Sequence, residues 1–452
     1  MADEQFVALR ELALRIYRIT SQAKSDHTIQ PEWEWRGHWK VDDFRYTNDG
    51  ITVSAAHWER VVTPSWTSAT MRLEEDARRL DEHKLALQRL TDAFGGRSKI
   101  SGDLQLFMTK LIDRCLNDPG FDENKADQYV TNLLKDLRGE PRRYGALVEL
   151  EGIVLVPDEI EVDSGIMLRK PRIEDLEKEV PLHIPGVLGV RTPSALLELE
   201  FLGRAAREIQ TRIEHSIAVL RLFRVGSIRY TLYRMFSDSI TDIMASGIFT
   251  TVRAQETAEK YLLTSDEADK LKRFWMVVGK RIPQGFYEPG STKTDHLAIA
   301  YNRYVDALLQ DGILERRIAN AIMGLEALFL KGGEKQELMY RLATRISKLF
   351  AFLGYDQYTV RRTVRDAYRI RNVFAHGSQL APKRWMMLES RYGNTKNLLL
   401  SVLDVLRASL TAMILLEKDK GELIDLIDDG LIDDGLKEEL VRITSHVREI
   451  VR

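Results

Sequence analysis

The last third of the chain is a succession of segments with helical periodicity joined by very short connections, which few architectures accommodate. His296–Gln310, Ile313–Leu330, Gln336–Leu353, Tyr358–Ala375 and Trp385–Glu417 each repeat apolar residues at three- and four-residue intervals. Lys331-Gly332-Gly333 and Gly354-Tyr355-Asp356 read as the turns between them. A connection of a few residues returns the chain beside the helix it has just left. The spacing therefore predicts an antiparallel helical bundle over 291–452. Near its end Leu-Ile-Asp-Asp-Gly occurs twice in tandem, at 426–430 and 431–435. Its acids lack the alternation of a calcium loop and read as helix terminators and solvated caps.

Upstream the pattern is mixed. Residues 1–145 read as mostly helical: a first helix through Ile19, a charged one over 68–94 ending at Gly95-Gly96, and one from Leu104 to Leu137. Between them Trp33, Trp35, Trp39, Trp58 and Trp66 place five of the seven tryptophans within 34 residues, around the turn signal Asn48-Asp49-Gly50 and the strand-like Ile51-Thr52-Val53. Aromatic residues at strand spacing predict core positions; stacking on bases is the functional alternative. The middle region, 146–290, opens with the strand pattern Ala146–Val156, closed by Pro157. Six of the twelve prolines fall between 141 and 193. From 194 onward the sequence reads as almost wholly helical, with one apolar stripe from Leu196 through Leu199, Phe201, Leu202, Ile209 and Ile213 to Leu222. Ile282–Thr294, with Pro283, Gly285, Pro289 and Gly290, reads as the linker before the bundle. The fold class expected is mainly α and multidomain, with a small β-containing middle region.

Composition narrows the functional classes. Lys and Arg total 66 against 68 Asp and Glu, so any nucleic-acid contact must come from a local patch. One cysteine, Cys115, excludes an internal disulfide framework and a Cys-rich zinc site. The opening residues lack the basic-then-apolar order of a signal peptide. The most apolar stretch, Leu398–Leu416, carries Asp404 and Arg407, which a membrane span tolerates poorly. A cytoplasmic protein without membrane or cofactor is expected. No Walker, dinucleotide, zincin or nucleophile-elbow motif occurs. Phe94-Gly-Gly-Arg-Ser-Lys99 has neither the spacing nor the preceding strand of a phosphate loop. Asp158, Glu159, Glu161 and Asp163 follow an apolar strand and read as a solvated acidic edge rather than a metal site.

One segment stands apart. Arg361, Arg362, Arg365, Arg369 and Arg371 put five guanidinium groups in eleven positions against one acid, Asp366. In a nearly neutral chain this is a local basic stripe suited to phosphate, and the first four are the candidate RNA contacts. Asn372 and His376 are four apart and share a helical face, so the amide can orient the imidazole. Arg371 lies about 140° round an ideal helix from His376. Gly377 marks the helix end, where a loosened last turn would bring both groups to one phosphate. An imidazole with a pKa of about 6.5 transfers protons at neutral pH, and a guanidinium stabilises charge on a pentavalent phosphate. The plain alternative makes His376 a C-terminal capping residue.

Arg371-Asn372-Val373-Phe374-Ala375-His376 resembles the signature of the HEPN superfamily: Arg, four to six residues, then His. Ala321–Phe329 resembles the family's glutamate-bearing helix, Glu337–Arg345 the helix that follows, and Asp366–Arg371 the approach to the motif. The likeness is strongest to the Apea-like branch found in prokaryotic defence proteins. It covers about 296–420, with a weaker likeness in 146–290 that includes Leu220–Gly226. The resemblance implies a bundle that pairs with a second copy, placing two Arg–His motifs on one cleft. It implies metal-independent RNA cleavage by attack of the ribose 2′-hydroxyl, leaving a cyclic phosphate and a 5′-hydroxyl. Carried onto this chain, His376 is the general acid or base, Arg371 the phosphate clamp and Asn372 the group that positions His376. Glu326 and Tyr368 are supporting residues, Glu326 holding either Arg371 or a neighbouring helix; pairing with Arg341 or Arg345 would serve structure equally well. Val373, Phe374 and Ala375 are apolar where many active relatives are polar. The role implied is a toxin or effector in antiviral defence or stress, under a phage-derived or antitoxin regulator. A non-catalytic RNA-binding or dimerisation module and a regulatory sensor subunit are the alternatives.

Overall fold

Two hydrophobic cores organise the chain, which is mainly α (63% helical) with a small β-containing region. The structure is a computed structural model and describes residues 2–47, 50–176, 178–181, 193–242, 247–248, 261–287, 295–310 and 312–451. The smaller core belongs to the N-terminal helices α1 (Ala2–Ser25), α2 (Thr67–Arg78), α3 (Asp81–Phe94), α4 (Arg97–Asn117) and α5 (Glu123–Leu137). Leu9, Leu12 and Ile16 give α1 one apolar face, which meets Leu90, Leu104, Phe107, Leu111 and Leu133. Two stretches expected as single helices are each divided. The 68–94 stretch breaks at Arg79-Leu80. Leu104–Leu137 breaks at Asp118-Pro119-Gly120, where Asp122 starts α5 by accepting from the Lys125 N–H at 2.9 Å.

Between α1 and α2 runs a long hairpin of β1 (Glu32–Thr47) and β2 (Gly50–Ser65), paired from Glu32 with Ser65 to Thr47 with Gly50. Asn48 and Asp49 of the expected turn lie outside the described residues. Directly opposed residues share a face, so Trp33, Trp35, Pro64, Val62 and Arg60 line one side. That side is not core: Trp33 is 64% and Trp35 60% exposed. The expectation of core tryptophans fails for these two, because among the described residues the further strand β7 (Lys178–Pro181) joins the hairpin at its edge rather than over that face; Trp66, by contrast, packs against the smaller core. The Trp58 ring lies over Gly37, where a side chain would have to displace it. Beside the turn, the Tyr46 hydroxyl donates to the Ser194 carbonyl oxygen at 2.7 Å and accepts from the Leu155 N–H at 2.9 Å, fixing the tip to the middle region.

The middle region contains β3 (Arg142–Glu151), β4 (Ile153–Leu155), β5 (Glu159–Asp163), β6 (Ile166–Arg169), α6 (Ile173–Leu176), β8 (Ala195–Gly203), α7 (Arg207–Phe223), β9 (Arg229–Ser237), β10 (Gly247–Ile248), β11 (Tyr261–Leu263) and α8 (Ser265–Val278). One antiparallel sheet runs in the order β10-β9-β3-β8-β6-β5. The expected helical stripe from Leu196 is therefore partly wrong. Leu196–Leu202 is a strand whose Leu197, Glu198, Leu199, Glu200 alternate inward and outward, paired against Val148, Leu147, Ala146 and Gly145 of β3. The helix begins only at Arg207. β9, β10 and β11 are further strands where helix was expected. On β5, Glu159, Glu161 and Asp163 alternate with buried Ile160 and Val162, so the acidic residues face outward from an edge strand. Asp158 pairs with Lys170 at 2.9 Å.

The larger core continues from this sheet into the bundle of α9 (His296–Leu309), α10 (Leu314–Phe329), α11 (Leu338–Phe352), α12 (Gln357–Ala375), α13 (Pro382–Tyr392), α14 (Thr395–Leu416), α15 (Lys420–Asp429) and α16 (Asp434–Val451). Ile282 and Phe286, in the segment read as linker, are buried, and Phe286 stacks on Tyr301 of α9 at 4.3 Å. Pro289 and Gly290 lie outside the described residues. α14 is the central helix. By length and composition it could cross a membrane, but 83% of its apolar window is buried inside the protein. Its buried Arg407 pairs with Asp404 and donates to the carbonyl oxygens of Leu222 and Phe223 at the end of α7. Trp385–Glu417 is two helices rather than one. Gly393, at φ +75°, ends α13, and the Asn394 side chain starts α14 by accepting from the Asn397 N–H. The tandem acidic repeat does terminate α15 and precede α16. One of its acids, Asp428, is more than a solvated cap, because it pairs with the buried Arg345.

Candidate active site on the C-terminal bundle

The sequence of α12 has two faces. Val360, Val364, Ala367, Tyr368 and Ile370 are buried against α10, α11 and α14, while Arg361, Arg362, Arg365 and Arg369 occupy the other side. Asp356 starts the helix by accepting from the Thr359 N–H at 3.0 Å. At the far end the Ser378 N–H donates to the Val373 carbonyl at 3.1 Å and the Gly377 N–H to that of Phe374 at 3.3 Å. This reciprocal pair needs a left-handed residue after the cap, which Gly377 supplies at φ +60°. His376 is the capping residue by backbone position. Its imidazole is exposed and makes no hydrogen bond or ion pair among the described residues. The cap is thus made by the backbone and Gly377, and the ring is left for other work.

Arg371 points elsewhere. Its Nη2 donates to Glu326 Oε2 on α10 at 3.2 Å, and its Nη1 to Asn372 Oδ1 at 3.3 Å. The guanidinium lies 5.5 Å from the Tyr368 ring centre. Of the partners open to Glu326 from sequence, Arg371 is the one realised. Arg341 and Arg345 pair with Glu334 instead, at 3.2 and 2.6 Å. Burial, reinforced by the Glu326 charge, pushes the Tyr368 hydroxyl up to about 12, so it stays protonated and able to donate at neutral pH. The expected orientation of His376 by Asn372 is not what the structure has, since the amide oxygen accepts from Arg371. The intact last turn also keeps Arg371 and His376 on different sides of α12, so the expected convergence through a loosened helix end does not occur within one chain.

The basic stripe is partly neutralised. Asp366, 1% exposed, pairs with Arg369 at 2.9 Å and with Arg391 of α13 at 2.9 Å, and the Tyr392 hydroxyl donates to it. Arg369, expected as an RNA contact, is thereby committed first to a buried carboxylate. Arg361 lies 5.6 Å over the Tyr340 ring, and Arg362 and Arg365 have no ion pair among the described residues. With Tyr358, Arg369 and Arg391 they line a groove of about 260 Å³. Arg391 was missed from sequence, because nothing local to α13 marks it. His376 lies eleven residues, three turns, beyond Arg365, so the arginine face leads to the imidazole.

Beyond Gly377 lies a second, apolar groove of about 800 Å³, lined by Ile313, Val373, Phe374, Leu380, Trp385 and Met386 among others. Ile313, Phe374 and Met386 are exposed. Among the described residues no group of three or more His, Cys, Asp or Glu side chains is placed to hold a metal ion. Comparison of the chain with protein-family models, with curated proteins and with solved structures finds no match.

Proposed function

We propose that the C-terminal bundle is a HEPN-type endoribonuclease domain that cleaves RNA without a metal ion. The observation that carries this reading is the pairing of roles at the end of α12: Arg371 is anchored by Glu326, while the exposed His376 imidazole has no hydrogen-bond or ion-pair partner among the described residues. The ring accepts the 2′-hydroxyl proton or donates one to the departing 5′-oxygen. The guanidinium offsets charge on the phosphate, with Glu326 and Tyr368 fixing its plane. Arg361, Arg362 and Arg365 lie along the same helix, where they meet flanking phosphates. Since Arg371 and His376 diverge around α12, a complete site takes its groups from two copies, joined across the apolar groove of Phe374 and Met386. A cytoplasmic toxin or effector, acting in antiviral defence or stress, is the setting this chemistry fits. The test is incubation of the purified chain with mixed RNA in EDTA, with the ends of the products identified. Cyclic phosphate ends that vanish with His376→Ala support the reading. RNA that is bound but never cut indicates a non-catalytic RNA-binding module.

A further inference from the structure

In the middle region, the N-terminal half of α7 and Tyr287 line an open cavity of about 840 Å³, within the range of small-molecule sites. Its chemistry is unbalanced in two ways. Arg207 and Arg212 have no anionic partner among the described residues, although carboxylates stand close by. Those acids keep their charge but hydrogen-bond neutral groups instead of the two guanidinium groups. Glu208 accepts from the Arg204 and Ala205 N–H groups at 2.8 and 3.2 Å, and Glu214 accepts from Gln210 Nε2 and the Tyr230 hydroxyl. Asp163, an acid that acts on His215 from a distance, accepts from the Ser164 N–H. Arg212 is held in place by stacking 4.1 Å from the Phe201 ring centre.

The second imbalance concerns an acceptor. His215 Nε2 lies 2.8 Å from the Gly279 carbonyl oxygen, which only accepts, so that nitrogen carries the proton and Nδ1 keeps its lone pair. Burial lowers the affinity of this ring for a second proton. The ring of Tyr287 stands edge-to-face to His215 at 5.2 Å.

We propose that this cavity binds a nucleoside phosphate, with the phosphates on Arg207 and Arg212 and the base beside Tyr287 and His215. Phosphate alone answers the two guanidinium groups but at neutral pH brings few donors for His215 Nδ1; a base and ribose bring both donors and a flat surface. The site has a mechanical link to the bundle. α7 ends where the Tyr304 hydroxyl donates to the Arg221 carbonyl at 2.9 Å and Arg407 donates to Leu222 and Phe223.

Calorimetric titration of the full chain with ATP, GTP, CTP, UTP, adenosine and pyrophosphate tests the proposal, independently of any RNA cleavage. At least one nucleotide is expected to bind at one site, more tightly than pyrophosphate or adenosine. Arg212→Glu and Arg207→Glu, both at exposed positions, should weaken it by about tenfold or more with melting temperatures unchanged. Arg362→Glu should leave it intact. The proposal is overturned if no nucleotide binds, if pyrophosphate binds as tightly, or if binding is lost with Arg362→Glu instead.

Discussion

Glu326 on α10 and Arg371 on α12 meet at 3.2 Å, with their side chains 17% and 28% exposed. Forty-five residues apart in sequence, they tie the helix bearing the Arg–His motif to the centre of the bundle. The contact is half-shielded from water, and Glu326 Oε1 has no partner of its own. Glu326→Ala should therefore cost about 1–2 kcal/mol in urea unfolding, less than the loss of a fully satisfied buried pair. RNA cleavage should fall more steeply, because the guanidinium loses its plane. In a double-mutant cycle with Arg371→Ala, the effects on cleavage should be far from additive.

The proposed function assigns cleavage to His376, while the cap rests on Gly377. His376→Ala should abolish cleavage and leave stability within about 0.5 kcal/mol, since the exposed ring makes no hydrogen bond or ion pair among the described residues. Gly377→Ala should do the reverse, costing about 1 kcal/mol through its φ of +60°. Thermal melts beside RNA assays read both. A large stability loss in His376→Ala, with unaltered cleavage, would make the histidine a structural cap.

The arginines of α12 divide by partner. Arg362→Ala and Arg365→Ala remove groups without ion pairs among the described residues, so they should weaken RNA binding and shallow its salt dependence while stability holds. Arg369→Ala leaves the buried Asp366 with one guanidinium fewer and should destabilise by about 1–3 kcal/mol. Arg371→Lys should keep part of the binding and little of the cleavage, as it retains charge without the bidentate geometry. Filter binding at several salt concentrations distinguishes these outcomes.

What the sequence revealed follows from how local each signal is. The bundle was legible because a 3.6-residue period is written in consecutive residues, as is the Arg371–His376 stretch on which the resemblance rests. The choice of Arg371 over Arg341 or Arg345 for Glu326 was not, since it depends on how α10 faces α12. Arg391 reaches Asp366 from 25 positions away, a relation no local pattern encodes. Leu196–Leu202 misled because leucine suits helices, and its period-two alternation was submerged in the helical stripe that followed. The exposed tryptophans show the same limit: alternation places residues on one face of a hairpin but not whether anything covers it.

Acid should act on the bundle through Glu334. Its carboxylate is held down from 4.5 to about 2, first by hydrogen bonds from Arg345, which also pairs with Asp428. A group with a depressed folded pKa contributes stability above its unfolded value and loses it as pH falls through the folded one. Stability from this cluster should thus be complete above about pH 5 and decline from there towards pH 2. Glu334→Gln should be less stable than the parent at neutral pH and flatter across that window. Urea midpoints measured at each pH give the comparison; equal slopes for both proteins would mean that Glu334 is not the acid-sensitive group.

The apolar groove beyond Gly377 decides whether one chain suffices. Ile313, Phe374 and Met386 are exposed around it, 59%, 40% and 61%, next to the helix end that carries His376. Clustered exposed apolar residues on a soluble surface mark association sites more often than scattered ones do. A twofold contact here would bring two α12 ends together, each supplying the group that the other directs away. Wild-type protein should therefore sediment as a dimer at micromolar concentration. Phe374→Asp and Met386→Asp should yield monomers with melting temperatures close to the parent, because neither side chain is buried in the chain's own core. Their RNA cleavage should drop at least as far as their dimer fraction, and raising the protein concentration should restore part of it. Monomers that cleave at the parental rate would place the whole catalytic site within one chain and refute the shared-cleft arrangement.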